Sequence, residues 1–179
     1  MRASVFVGTS VDGFIARPGG TFDFLSAGGS GDEPHGFEEF FATVDALVMG
    51  RNTYEVVLPF PEWPYGAKPV FVLSHRPLPP APAGAVVERM EGEPAEVLSQ
   101  LAARGFGHAY VDGGRTIQAF LRAGLIQRLV LSRVPVLIGE GIPLFGPLDA
   151  DVLLTHVATR TFAGGLVQSE YEVAPAGGK

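Results

Sequence analysis

The chain has 179 residues and a net charge of −6; hydrophobic residues make up 46% of it and charged residues 18%. This size and composition suit one packed globular domain and exclude an intrinsically disordered chain. The acidic balance argues against a nonspecific nucleic-acid binder, and the absence of cysteine excludes disulfides, thiolate metal sites and a cysteine nucleophile.

Long apolar stretches are missing from the sequence. Gly, Pro or a charged residue interrupts every apolar run well before the roughly 20 residues that a bilayer-spanning helix needs. Residues 1–8 contain one basic residue and a short apolar run, but that run enters a turn without the apolar region of a secretory signal. We therefore expect a cytoplasmic protein whose partner is a small molecule, and neither a membrane nor a nucleic acid.

Two hydrophobic patterns alternate along the first two-thirds of the chain. Short, almost wholly apolar runs are typical of strands buried on both faces, whereas apolar residues at helical spacing are typical of amphipathic helices. In chain order, these patterns predict a strand over residues 4–8, a helix over 36–43, strands over 45–49 and 69–73, a helix over 93–103, a strand over 108–111, a helix over 116–123 and a strand over 129–131.

The last third of the chain changes to a strand-turn-strand pattern. Residues 155–159 and 166–173 alternate in residue type, and a Gly-Gly pair lies between them, which predicts an antiparallel hairpin. Together the elements predict an α/β fold with a mixed, mostly parallel central sheet, helices on both of its faces and this hairpin at its C-terminal edge. We predict one domain over residues 1–179, of which 174–179 form a flexible tail.

Three strand-to-helix junctions carry residues suited to binding an anion, because ligands of α/β proteins bind at the carboxyl ends of the strands. At the first junction, Gly50 lets the backbone turn closely before a helix start that presents unpaired N–H groups. Arg51 and Thr53 add a cation and a hydroxyl. A plain glycine turn with a surface arginine and a threonine cap would leave the same pattern.

The other two junctions follow later strands. Ser74, His75 and Arg76 combine a hydroxyl, an imidazole and a guanidinium, a set suited to a phosphate monoester, although a polar loop has the same composition. Gly113 and Gly114 precede a helix, where amides and the helix dipole can face a pyrophosphate. The full Gly-x-Gly-x-x-Gly signature and the Gly-Lys-Ser/Thr phosphate loop are both missing, which disfavours a Rossmann dehydrogenase and a P-loop NTPase.

Four segments carry a family resemblance: residues 9–16 (TSVDGFIA), 45–55 (DALVMGRNTYE), 112–114 (DGG) and 135–145 (PVLIGEGIPLF). Together they resemble the bacterial family that groups dihydrofolate reductase with the reductase domain of the bifunctional riboflavin-biosynthesis deaminase/reductase. The match spans nearly the whole chain, and the last segment points to the riboflavin-reductase branch. The resemblance implies a dihydrofolate reductase-like three-layer α/β/α fold and a homodimer.

The resemblance also implies that NADPH binds across the carboxyl edge of the sheet. Residues 12–16 resemble the mobile active-site loop of the family, which helps to exclude water during hydride transfer. Residues 74–76 would lie near the adenosine 2′-phosphate, and residues 50–53 and 113–116 near the other phosphates. By this resemblance, the cofactor-binding residues are Gly8, Ile15, Ala16, Gly50, Arg51, Asn52, Thr53, Ser74, His75, Arg76, Gly113, Gly114, Arg115 and Thr116.

The proton donor has several candidates. Dihydrofolate reductase uses a carboxylate on its first helix, a region that holds Glu38 and Glu39 here, and we favour Glu38. Asp12 and Asp23 are its rivals. Carboxylates on the solvent face of an amphipathic helix would explain both glutamates equally well, and Asp12 has the alternative role of holding an Asp-Gly turn. No cluster has metal-ligand spacing, so we predict no metal.

The predicted function is an NADPH-dependent reductase that transfers a hydride to a small pteridine- or pyrimidine-like ring. One alternative is a nucleotide-binding or regulatory domain without chemistry. Another is the authentic 5-amino-6-(5-phosphoribosylamino)uracil reductase, whose substrate demands a second phosphate site. Arg17, Lys68 and Arg133 are the only spare cations in plausible regions for that site. Trp63 is predicted either to close over a flat substrate or to act as a hydrophobic plug.

Overall fold

The computed structural model describes residues 1–29 and 35–175, which alternate strands with short helices. None of the helices in these residues is long and apolar enough to cross a bilayer. The helices are α1 (Phe37–Ala42), α2 (Arg51–Val57), α3 (Pro94–Ala103) and α4 (Gly114–Arg122), with a 3₁₀ helix at Asp23–Gly28. The strands are β1 (Arg2–Thr9), β2 (Phe14–Ala16), β3 (Ala46–Gly50), β4 (Val70–Leu73), β5 (Val87–Met90), β6 (His108–Asp112), β7 (Arg128–Arg133), β8 (Ile142–Pro143), β9 (Leu154–Thr161) and β10 (Val167–Val173).

Eight of these strands form one sheet, in the order β5-β4-β3-β6-β1-β7-β10-β9. Every pairing from β5 to β7 is parallel, whereas β10 is antiparallel to both β7 and β9. Strands β2 and β8 form a separate antiparallel pair. The predicted mixed, mostly parallel sheet with an antiparallel C-terminal hairpin is confirmed.

Helices cover both faces of the sheet because its central strands are apolar on both sides. Successive residues of a strand point to opposite faces. Val48 of β3 therefore belongs to the buried cluster that contains Leu101 of α3 and Phe120 of α4. Its neighbour Leu47 belongs to the cluster that contains Phe40 of α1 and the buried side chains of α2. The result is the predicted three-layer α/β/α arrangement.

The predicted elements all occur, with their bounds shifted by one or two residues, and the structure adds three strands. Strand β5 has exposed Glu88 and Arg89 at its centre, so it lacks the apolar run of a buried strand. Strands β2 and β8 are three and two residues long, too short to show any periodicity. Of the predicted tail, residues 176–179 lie outside the described part of the chain, and Ala174 donates its N–H to the carbonyl of Leu153 at 2.9 Å.

The turn between β9 and β10 packs closely against the end of the 3₁₀ helix. A Cβ atom on Gly164 would collide with the carbonyl oxygen of Gly28, so the two backbones touch without an intervening side chain. Gly165 then adopts a φ of +80°, a conformation that glycine accepts without steric cost. This contact fixes the C-terminal hairpin to the segment that precedes α1.

We predict that Gly164→Ala lowers the free energy of unfolding by about 1–3 kcal/mol, the usual cost of overpacking, because the two backbones must separate. Urea unfolding followed by circular dichroism measures the change. Gly19→Ala is the matched control, since a Cβ atom there would meet nothing within 4 Å. Equal unfolding midpoints for the two variants would contradict the close contact.

Candidate active site

The loops that follow β3, β4 and β6 meet at one edge of the sheet. The parallel register places Gly50 opposite Leu73 and Met49 opposite Asp112, so the three strands end almost level with one another. Two of these loops lead directly into α2 and α4. This edge is the carboxyl edge, where α/β proteins bind their ligands.

Glycine is required where the loops after β3 and β6 touch. Gly113 has a φ of +91°, and a Cβ atom there would collide with the hydroxyl of Thr53. A Cβ atom on Gly50 would lie 3.1 Å from the hydroxyl oxygen of Thr116. Glycine at these positions therefore lets the two loops pack directly against each other. We call this surface, made of Gly50, Thr53, Gly113 and Gly114, the glycine cradle.

Helix α4 adds an electrostatic component to the glycine cradle. The helix is nine residues long, and the N–H groups of its first turn have no partner within the helix. The dipole of the helix also favours an anion at this end. Arg115 is exposed in the same turn, and its guanidinium has no ion-pair partner in residues 1–29 and 35–175. The cradle can thus hold a phosphate group without a metal ion.

A cleft of about 310 Å³ opens beside the glycine cradle. Its walls are mostly apolar, and four phenylalanine rings contribute to them, from Phe6, Phe22, Phe37 and Phe60. Half of the predicted cofactor-binding residues line this cleft: Gly8, Ile15, Ala16, Asn52, Thr53, Gly113 and Gly114.

The loop over residues 12–16 reaches the first turn of α4. Strand β2, which contains Ile15, pairs with β8. A Cβ atom on Gly114 would lie 3.2 Å from a methyl carbon of Ile15 and 3.2 Å from the carbonyl oxygen of Pro143. This loop, β8 and the glycine cradle therefore enclose one end of the cleft together.

The other predicted cofactor-binding residues lie outside the cleft, and several of them gather at the loop after β4. Arg51 donates to the carbonyl of Pro77 at 2.6 Å, which ties the start of α2 to that loop. The hydroxyl of Ser74 bonds with the backbone of Arg76, and the imidazole of His75 is 89% exposed. The residues outside the cleft are Gly50, Arg51, Ser74, His75, Arg76, Arg115 and Thr116.

The carboxylates favoured from the sequence do not line the cleft. Glu38 and Glu39 are exposed on α1, and Asp23 forms an ion pair with Arg17 at 2.8 Å. The carboxylate of Asp12 accepts hydrogen bonds from the N–H groups of residues 138 and 139, at 3.2 and 2.8 Å. The hydroxyl of Ser10 and these amides lower the pKa of Asp12. The geometry gives Asp12 the loop-holding role and leaves the glutamates facing solvent.

Asp112 is a carboxyl group of the cleft that the sequence analysis did not name as a candidate proton donor. It ends β6, directly before the glycine pair, and is the one carboxyl group among the described residues that line the cleft. Its Oδ1 accepts a hydrogen bond from the N–H of Gly113 at 2.7 Å. Burial raises the pKa of Asp112 to about 6, although that hydrogen bond favours the ionised carboxylate and lowers the pKa. Its place at the end of a buried strand, at the carboxyl edge, was the available signal.

Two tyrosines share the cleft with Asp112. The hydroxyl of Tyr110 donates to the carbonyl of Phe6 at 2.8 Å, while that of Tyr65 has no hydrogen-bond partner in the described part of the chain. Burial, and then the nearby charge of Asp112, raise the pKa of both phenols. Trp63 contacts Tyr65 at 5.1 Å between ring centroids but does not line the cleft, which favours the plug interpretation.

The spare cations named from the sequence lie outside the cleft. Arg17 is held by its ion pair, and the ammonium of Lys68 donates to the carbonyls of Phe41 and Val44. Arg133 is exposed at the end of β7, and none of the three lines the cleft. Across the described ranges, no three His, Asp or Glu side chains lie close enough to hold a metal ion.

Comparison with known proteins gives the family of this fold. A structure from Shewanella sp. PV-4, named for riboflavin biosynthesis, has a TM-score of 0.88 and 38% identity, with 97% of this chain and 99% of that chain covered. The Thermotoga maritima diaminohydroxyphosphoribosylaminopyrimidine deaminase/5-amino-6-(5-phosphoribosylamino)uracil reductase has a TM-score of 0.71 and 13% identity, over 97% of this chain and 56% of that one. Enterococcus faecalis dihydrofolate reductase, complexed with NADP(H), has a TM-score of 0.60 and 20% identity, over 96% and 94%.

The two structures with low identity show that the fold is dihydrofolate reductase-like. The family model of the RibD C-terminal domain matches residues 4–168, which include most of β1, the glycine cradle, the cleft and part of the terminal hairpin. The chain therefore belongs to the RibD C-terminal domain family.

Proposed function

We propose that this protein is an NADPH-dependent reductase that transfers a hydride to a small heterocyclic substrate, pteridine- or pyrimidine-like. One observation carries the proposal: an apolar cleft that can hold flat rings lies directly beside a glycine cradle that can hold phosphates. Family membership supports it, because the Thermotoga neighbour is named as a reductase and the Enterococcus neighbour is complexed with NADP(H).

The residues at the strand ends fit the phosphates of NADPH. Gly113 and Gly114 let the loop after β6 pack closely against its neighbours, and the first turn of α4 supplies N–H donors for a pyrophosphate. Arg76 is exposed on the loop after β4, so its guanidinium is available to the adenosine 2′-phosphate, whereas Arg51 pairs with Glu55 at 2.7 Å and anchors that loop through Pro77. The cationic loops suit the phosphates of the dinucleotide, and the apolar cleft suits its reacting ring.

When bound, NADPH supplies a hydride to the electron-poor carbon of a C=N or C=O group. The chain contributes a dry and shaped surrounding for that transfer. Ile15 and Ala16 line the cleft next to the cradle, and the rings of Phe22 and Phe37 line it further away. These apolar walls hold the reacting rings in contact and exclude water from them.

We assign the balancing proton to Asp112. When a carbon of the substrate gains a hydride, the neighbouring nitrogen or oxygen must take up one proton. Asp112 lines the cleft, and with a pKa of about 6 its carboxyl group keeps a proton at pH values where ordinary carboxyl groups have lost theirs. In this scheme the Asp112 carboxyl donates its proton to the substrate and is reprotonated from solvent.

One of the two edge strands of the sheet, β9, supports the homodimer expected for this family. Strand β9 pairs with β10 on one side alone, and Leu154 and Val157 are 43% and 49% exposed on it. The strand contains no carboxylate, although the chain has a net charge of −6, so two copies of it can approach without repulsion between acids. We propose that two copies associate through β9.

We predict that Val157→Lys converts the dimer to a monomer, because a charge on an edge strand opposes pairing. Light scattering after size-exclusion chromatography measures the mass in solution. Val86→Lys is the matched control, since Val86 is also 49% exposed but lies outside β9. A monomeric parent protein, or a dimer that survives the Val157 substitution, would contradict the β9 interface.

We predict that Gly113→Ala raises the Kd for NADPH at least about tenfold, which corresponds to about 1.4 kcal/mol, because its Cβ would collide with Thr53 and force the two loops of the cradle apart. Titration of NADPH fluorescence measures the Kd. Gly105→Ala is the matched control: Gly105 has the same φ of +91°, but a Cβ atom there would meet nothing within 4 Å. If both variants lose the same affinity, the cradle does not bind the coenzyme.

Turnover distinguishes a reductase from a nucleotide-binding domain without chemistry. We predict that kcat falls about tenfold per pH unit above the pKa of Asp112, because only the protonated carboxyl donates. Asp112→Asn should lower kcat by about 10²–10⁴-fold and remove this pH dependence. The loss of NADPH absorbance with dihydropterin and dihydropyrimidine-type substrates measures both. NADPH binding without oxidation of any would favour the non-catalytic alternative.

Stability provides a readout of Asp112 that is independent of activity. Its pKa in the folded protein is above the usual 3.8, so the folded state binds the proton more tightly than the unfolded state. Asp112 therefore contributes stability that is lost as the pH rises from about 4 to 6, so the free energy of unfolding of the parent protein should fall relative to that of Asp112→Asn over this range. If Glu38→Gln, and not Asp112→Asn, removes the pH dependence of kcat, the proton donor lies on α1.

A further inference from the structure

The walls of the cleft carry no positive charge in the part of the chain that the structure describes. None of the described lining residues is Lys or Arg. The rings of Phe22 and Phe60 meet edge to face with 6.0 Å between centroids, and those of Phe6 and Phe37 with 5.5 Å. Residues 30–34 contain no Lys, Arg or His in the sequence, so they can add no cation.

The cations that the sequence offered for a substrate phosphate are engaged or placed elsewhere. The guanidinium of Arg17 donates to both carboxylate oxygens of Asp23, at 2.8 and 3.1 Å. The ammonium of Lys68 closes the carbonyl end of α1 and lies 4.3 Å from the ring centroid of Phe41. Arg133 does not line the cleft.

We propose, on the basis of the reductase function above, that the cleft selects a flat, uncharged ring substrate that carries no phosphate. A phosphate loses its hydration when it enters an apolar cleft, and only cations or several N–H donors can compensate for that loss. The described cleft residues offer no cation, and their one carboxyl group, on Asp112, repels a phosphate whenever it is ionised. The donors of the glycine cradle are needed for the phosphates of the coenzyme.

The polar groups of the cleft match the edge of a neutral heterocycle instead. The carboxyl group of Asp112 can pair with a ring N–H or donate to a ring nitrogen, and the hydroxyl of Tyr65 has no partner in the described residues. The phenylalanine rings supply flat apolar area for stacking. The proposed substrate class differs from the one in the name of the Thermotoga neighbour, which specifies a phosphoribosyl substrate.

Matched pairs of rings with and without a phosphate test the proposal. We would measure the Kd of the NADP⁺-saturated protein for 6-hydroxymethyl-7,8-dihydropterin and its diphosphate, for riboflavin and FMN, and for uridine and UMP. The expected result is that at least one neutral ring binds, and binds at least about tenfold more tightly than its phosphorylated partner. Equal or tighter binding of a phosphorylated member, or no binding of any neutral ring, would overturn the proposal.

An added cation provides a gain-of-function test. Phe60 lines the cleft and is 39% exposed, so Phe60→Arg places a guanidinium at its rim with little disturbance of the core. The expected result is that Phe60→Arg gains affinity for the phosphorylated member at least about tenfold relative to the neutral one. Phe145→Arg is the matched control, because Phe145 is 46% exposed and does not line the cleft. An equal gain in both variants would overturn the proposal.

NADPH titration of the same preparations separates the two levels of failure. A protein that does not bind NADPH contradicts the proposed reductase. A protein that binds NADPH and yet prefers phosphorylated rings contradicts the substrate class alone. Thermal unfolding of each variant verifies that the compared proteins are folded.

Discussion

The contact between the loops after β3 and β6 is the constraint on which the rest of the site depends. Both strands are buried and neighbour each other in the sheet, so their carboxyl ends are forced together. A side chain at Gly113 would meet Thr53, and the loops would have to separate. Because no side chain is present there, α2 and α4 can begin side by side. The cleft beside this contact exists for the same reason.

The same constraint explains why one carboxyl group lies in an otherwise apolar cleft. Asp112 is the last residue of β6 and immediately precedes the glycine that forms the contact. The N–H of Gly113 supplies one hydrogen bond, which lowers the pKa, but the loss of hydration has the larger effect and raises it. An isolated acid of this kind destabilises the fold when it ionises, and a proton-transfer role gives a physical reason for its position.

The sequence predicted those features that a local pattern records. Apolar runs marked the central strands, and the pair Gly113 and Gly114 marked the start of α4, which begins two residues earlier than its apolar spacing suggested. The acids required the tertiary structure. Glu38 lies on a helix of six residues, too short for its pattern to reveal which side faces solvent, and Asp12 is bound by amides more than 120 residues away in the chain. Asp112 lines the cleft only because strands distant in sequence surround β6.

The distribution of charge around the carboxyl edge shows how one fold can serve different substrates. Cations gather outside the cleft, at the loop after β4 and at the first turn of α4, where the dinucleotide of the proposed function would present its phosphates. Inside the cleft, apolar rings and Asp112 leave no compensation for a second phosphate in the described residues. Side chains at the rim, such as Phe60, do not support the sheet and can change without loss of the core. In the proposed reductase, the strands would therefore fix the coenzyme end of the site, whereas the rim would determine which ring meets it.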